Sequence, residues 1–144
     1  MEKPNVLPEE KDLWLVSSCL VGLKTRYDCQ KKTNEHCVEF LADKYWIPVC
    51  PEQLGGLSTP RVPAVIEGGD GDDVLAGVAR VLTTEGEDVT DAFIHGARQV
   101  LEIYRGQNIR GMCVKARSPS CGCLEIRGVT SALLQQEEIL LKEF

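Results

Sequence analysis

Residues 13–16, 45–49 and 109–114 are short, nearly unbroken apolar runs, each followed by a stretch rich in turn-forming residues. Consecutive apolar positions need cover on both sides of a strand, as in a parallel sheet with helices on its two faces. Helical spacing appears between these runs. From Asn34 the apolar positions Cys37, Phe40 and Leu41 predict a helix to about residue 44. Asp88 is the N-cap candidate for a longer helix, whose stripe is Phe93, Ala97, Val100, Leu101 and Tyr104 and whose stop is Gly106. Residues 64–66 and 77–82 flank the Gly/Asp-rich stretch 68–73 and predict a hairpin with a loose, solvated tip. Residues 51–61 read as a loop, 128–138 as a last helix and 139–144 as a short edge strand. The expectation is an α/β fold: a small, mostly parallel sheet with helices on both faces and an inserted β-hairpin. Residues 1–144 are expected to form a single domain, with 1–12 as a loose lead-in.

The charge excludes one large class of partner. With 16 Lys+Arg against 22 Asp+Glu the chain carries a net charge of -6, the wrong sign for stable binding to DNA or long RNA. No apolar run approaches the length of a membrane span, and the first residues lack the basic-then-apolar pattern of a secretory leader. A cytoplasmic location is expected. The 7 cysteines are then an odd number of reduced thiols rather than a disulfide framework.

Cys19 and Cys50 stand at the ends of the first two apolar runs, and Cys121 lies in the loop after the third. In α/β sheets ligands bind beyond the carboxyl ends of the strands, so these thiols are expected to converge on one rim. Three thiolates suit a soft metal centre. The glycines and prolines around them suggest backbone held close to a bulky group, with amides free to donate to sulfur as an iron–sulfur cluster prefers. Structural zinc favours short paired spacings; only Cys121-Gly122-Cys123 offers a close pair. Cys37 on a helix stripe and Cys113 inside a strand read as core residues.

Taken together, Ser17-Ser18-Cys19-Leu20-Val21-Gly22, Val49-Cys50-Pro51-Glu52, Gly55-Gly56-Leu57-Ser58-Thr59-Pro60-Arg61 and Lys115-Ala116-Arg117-Ser118-Pro119-Ser120-Cys121-Gly122 resemble the bacterial thiouracil and thiouridine desulfidases. Arg26-Tyr27-Asp28, Asp88-Val89-Thr90, Gly96-Ala97 and Gly128-Val129-Thr130 extend the likeness over roughly residues 13 to 140. The resemblance implies a [4Fe-4S] cluster with three protein ligands, Cys19, Cys50 and Cys121. Its open fourth iron would act as a Lewis acid toward the substrate's sulfur. The implied reaction converts C=S to C=O with release of sulfide and no net redox change. Glu52 matches the acidic catalytic position, which positions or deprotonates water, and Ser118 the catalytic serine. Two departures matter: Thr25 stands where many relatives carry Cys, and Cys29 where they carry Gly. Cys29 or Cys123 in reach of the fourth iron would close the site.

Arg26, Arg61 and Lys115, with Ser18, are candidate substrate-binding residues; with Arg117 they also supply counter-charge to a thiolate-ligated cluster. The expected partner is a small thiolated pyrimidine: thiouracil, 4-thiouridine or its monophosphate. Three alternatives remain open at the level of sequence. They are a zinc-stabilised binding module, a thiol-redox protein using Cys121 and Cys123, and a non-redox hydro-lyase at the same open iron.

Overall fold

The structure is a computed structural model and describes residues 11–144; most of the expected N-terminal lead-in, residues 1–10, lies outside the described residues. The first strand, β1 (Leu13–Ser17), runs into a 3-10 turn at Ser18–Val21. The helix α1 (Glu35–Leu41) follows, capped by Asn34, whose side chain accepts from the Cys37 amide. β2 (Tyr45–Val49), α2 (Pro51–Leu54) and β3 (Ala64–Glu67) come next, then α3 (Gly71–Leu75), β4 (Arg80–Thr83) and the long α4 (Thr90–Arg105). β5 (Gly111–Val114), α5 (Val129–Gln136) and β6 (Leu141–Glu143) complete the chain.

The main sheet has the order β2-β1-β5-β6, and every pairing in it is parallel. The two central strands, β1 and β5, are buried on both faces, while the edge strand β2 leaves Trp46 and Pro48 exposed against the expectation for residues 45–49. Along β1, Leu15 faces a core shared with Val100 and Leu101 of α4 and Leu134 of α5. Its neighbours Trp14 and Val16 face the opposite core, with Cys37 and Leu41 of α1. β5 divides the same way, Met112 and Val114 to the first core and Cys113 to the second. β2 carries Pro48 and lies at a sheet edge, where a residue without an amide donor is tolerated. β3 and β4 pair antiparallel as the expected hairpin. The hairpin packs on α3, α4 and α5 through Val74, Ala79, Val81, Phe93 and Val129.

Three local expectations are corrected. The stretch 68–73 is not a loose tip: Asp70 and Asp73 form a reciprocal capping box that starts α3. Residues 51–54 are one helical turn rather than loop, with Pro51 at its first position. Asp88 is not the N-cap of α4; Val89 is, and the Asp88 carboxylate accepts from the Thr90 amide just outside it.

Chain order fixes where a ligand fits. β1 connects through α1 to β2 on one side, and the chain then returns to β5 on the other side of β1. The connections therefore diverge around β1 and open a crevice beyond the carboxyl ends of β1, β2 and β5. The short α2 is held at that crevice by contact of its backbone with α4. A Cβ placed on Gly96 would lie 1.9 Å from the Pro51 carbonyl oxygen, and one on Gly55 would lie 2.0 Å from that of Ala92. Gly96→Ala is expected to cost about 1–3 kcal/mol, because the atom it meets is backbone and cannot rotate aside. Denaturant unfolding measures this; a loss below about 0.5 kcal/mol would mean that α2 separates from α4 without penalty.

Candidate active site

A pocket of about 330 Å³ occupies the crevice, and Cys19, Cys50 and Cys121 all line it. Each thiol arrives on a different segment. Cys19 comes from the 3-10 turn after β1, Cys50 is the N-cap of α2, and Cys121 sits in the loop between β5 and α5. Burial pushes the Cys19 thiol up, and the neighbouring Cys50 pushes it further; Lys115 and Arg26 act the other way. Cys121 is 3% exposed, and burial is the main reason its pKa is pushed up to about 12, with Cys19 and Cys50 adding to the effect. Cys19 and Cys121 are thus held as thiols by burial and by their sulfur neighbours, and a cationic centre in the pocket would favour their thiolate forms. Among the described residues, no three His, Cys, Asp or Glu side chains are placed to hold a single metal ion. The donor set is three sulfurs, soft ligands of the kind an iron–sulfur cluster takes.

Glu52 lines the same pocket, and both its carboxylate oxygens are held. Arg61 Nε donates to Oε1 at 2.9 Å, and the Ser120 hydroxyl donates to Oε2 at 3.0 Å. Ser118 Oγ stands 3.0 Å from Ser120 Oγ and accepts from the Ser120 and Cys121 amides. Since an ionised carboxylate only accepts, the hydroxyls can line up as Ser118 to Ser120 to Glu52. The serine that touches the acid is thus Ser120. Ser118 shapes the loop that presents Cys121. The resemblance singles out Ser118 as the catalytic serine; in the fold its hydroxyl stands one hydrogen bond behind that of Ser120, which contacts Glu52.

The other expected residues also reach the pocket, each with a different freedom to bind. Ser18 is buried, and its hydroxyl is paired with that of Thr25. Arg26 grips Asp28 with Nε and Nη2, and this hydrogen-bonded pairing holds the Asp28 carboxyl below its ordinary range. Its remaining Nη1 is uncommitted among the described residues. Lys115 has no carboxylate partner among the described residues and donates only to the Ala116 carbonyl. Arg117 is exposed and pairs with Glu125. Arg61 differs from Arg26 and Lys115 in that all its guanidinium nitrogens have acceptors within the protein. The glycines near the thiols also differ from expectation. The Gly22 and Gly122 amides donate to the Cys19 and Ser118 carbonyls and are not free for sulfur. A Cβ on Gly122 would lie 2.4 Å from the Ile126 carbonyl oxygen, so this glycine serves loop packing.

The remaining cysteines stand apart. Cys37 and Cys113 are buried neighbours in the core, where mutual hydrogen bonding and burial hold the Cys113 thiol well above its ordinary range. Cys29 and Cys123 are not on the pocket wall; the Cys123 amide donates to Glu143 of β6.

Fold and pocket together define an α/β protein with a soft-donor site at the carboxyl edge of a parallel sheet. Residues 14–143 match the 2-thiouracil desulfurase family, and the chain belongs to that family. It is 42% identical over 134 residues to the uncharacterized protein YbbK of Bacillus subtilis (strain 168), covering 85% of this chain and 89% of the relative. The solved structure of the [4Fe-4S]-dependent thiouracil desulfidase TudS superposes with a TM-score of 0.73 at 34% identity. That match covers 92% of this chain and 91% of the other.

Proposed function

We propose that this enzyme hydrolyses the C=S bond of a small thiolated pyrimidine, with Cys19, Cys50 and Cys121 holding a [4Fe-4S] cluster whose fourth iron is open. The observation that carries the reading is the meeting, in one pocket, of three thiols from three separate segments of the chain with a carboxylate anchored at both oxygens. The cluster supplies a soft Lewis acid suited to thiocarbonyl sulfur. Glu52 accepts a proton from a water molecule as that water's oxygen bonds to the ring carbon, and returns it as sulfur departs. Ring C=S and water then give ring C=O and hydrogen sulfide, with no electron left over. Arg61 and Ser120 fix the carboxylate so that its outward lone pairs face the pocket.

No helix among the described residues is long and apolar enough to cross a membrane. The net charge of -6 opposes a long polyanion, while Lys115 and the uncommitted side of Arg26 offer a single phosphate its counter-charge. 4-Thiouridine and its monophosphate are therefore placed ahead of bare thiouracil, since contacts remote from the C=S bond can orient it. Sulfide release is to be compared anaerobically across base, nucleoside, monophosphate and thiolated tRNA. The expected result is kcat/KM rising about tenfold from nucleoside to monophosphate, the worth of one charge-assisted hydrogen bond, and that gain vanishing in Lys115→Ala. Preference for intact tRNA would refute the small-substrate reading.

A further inference from the structure

Arg61 is the most heavily engaged side chain at the site. A guanidinium carries five N–H donors in a rigid fork, and every one has an acceptor within the chain. Nε donates to Glu52 Oε1 at 2.9 Å. Nη1 donates to the Thr59 hydroxyl at 2.7 Å and the Ser58 carbonyl at 3.3 Å. Nη2 donates to the Thr25 carbonyl at 2.9 Å and faces Cys50 Sγ at 3.9 Å. The side chains of Arg61 and Glu52 are only 8% and 15% exposed. A cation so placed has no donor left for a substrate phosphate.

We propose that Arg61 is a positioning residue that ties the catalytic carboxylate to a cluster ligand, aiming Glu52 at the reacting carbon while donating an N–H to the Cys50 sulfur. The proposal rests on the function given above. The Cys50 thiol itself donates to the Thr25 carbonyl at 3.8 Å, the same oxygen that Arg61 Nη2 holds. As a cluster ligand Cys50 has no S–H, and Arg61 remains as the side-chain donor facing that sulfur. Hydrogen bonds to ligand sulfurs stabilise the reduced, more negative state of an iron–sulfur centre and raise its potential. One guanidinium thus sets two properties, the direction of the carboxylate and the electron density on one ligand. Lysine keeps the charge but cannot reach all five acceptors from a single nitrogen.

Arg61→Lys and Arg61→Gln test this in the anaerobically loaded holoenzyme, with iron per chain, cluster reduction potential, kcat and KM as readouts. Both variants are expected to retain most of their iron. The potential should fall from wild type to Lys to Gln. For Lys, kcat should drop about tenfold or more with KM within about threefold, the pattern for loss of transition-state alignment rather than binding. In a Glu52→Gln background Arg61→Lys should lower kcat by less than about twofold, because the group it positions is gone. A raised KM with unchanged kcat would make Arg61 a substrate ligand and overturn the proposal. So would an unchanged potential, or loss of iron from both variants, which would reduce Arg61 to scaffold. The potential needs no substrate. A wild-type protein inactive on thiopyrimidines, with the potential shift present, would overturn the functional reading and leave the Arg61–Cys50 contact standing.

Discussion

Alanine at Cys19, Cys50 or Cys121, one at a time, is expected to remove most of the bound iron and nearly all sulfide release, whereas Cys37→Ala keeps both. The three thiols line one pocket but belong to three segments of chain, so loss of any one leaves a cluster two ligands from the remaining segments. Cys37 instead fills the core between α1 and the sheet with no exposure. Removing its sulfur costs packing, on the order of 1 kcal/mol, and touches no ligand. Cys29→Ala and Cys123→Ala should behave as Cys37→Ala does, because neither lines the pocket. Anaerobic iron and sulfide analysis per chain decides the matter. Full iron content in any of the first three variants would show that the wrong thiol was chosen, and iron loss in Cys29→Ala or Cys123→Ala would indicate a closed site.

The centre of the sheet was legible because β1 and β5 are covered on both faces, whereas the edge strand β2, apolar at every position, leaves Trp46 and Pro48 exposed. Residues 13–16 and 111–114 are apolar at successive positions, and no helix-period pattern competes with that. The convergence of Cys19 and Cys50 followed from strand ends alone, since parallel strands place all their carboxyl ends at one edge. What sequence could not yield is non-local or very short. α2 and α3 have four and five residues, too few for apolar periodicity to emerge, although Asp70 and Asp73 already carried the spacing of a capping box. Arg61 and Lys115 look alike as loop cations. Their difference is that Thr25, Cys50, Glu52 and Thr59 surround one and not the other, which is a property of folded neighbours. Gly96, met in sequence only as part of the Gly96-Ala97 motif, gains its physical reason once the Pro51 carbonyl is found against it.

Glu52→Gln separates the acid from the cluster. Glutamine matches glutamate in shape, its oxygen can still accept from Arg61 Nε, and its amide can donate to Ser120 Oγ in place of the bond now made. The pocket wall should therefore stand unchanged, and iron content and visible absorption should match wild type. The amide, however, cannot take a proton from water at neutral pH. The expected result is kcat lower by about a hundredfold or more, the usual range for loss of a general base, with KM little changed. Glu52→Asp keeps the base but withdraws it by one methylene from a carboxylate site fixed at both oxygens, and should fall between the two. Turnover unchanged in Glu52→Gln with an intact cluster would remove Glu52 from the chemistry. Loss of iron in that variant would instead assign the carboxylate to holding Arg61 against Cys50, because Glu52 stands only two residues beyond that ligand on the single turn of α2.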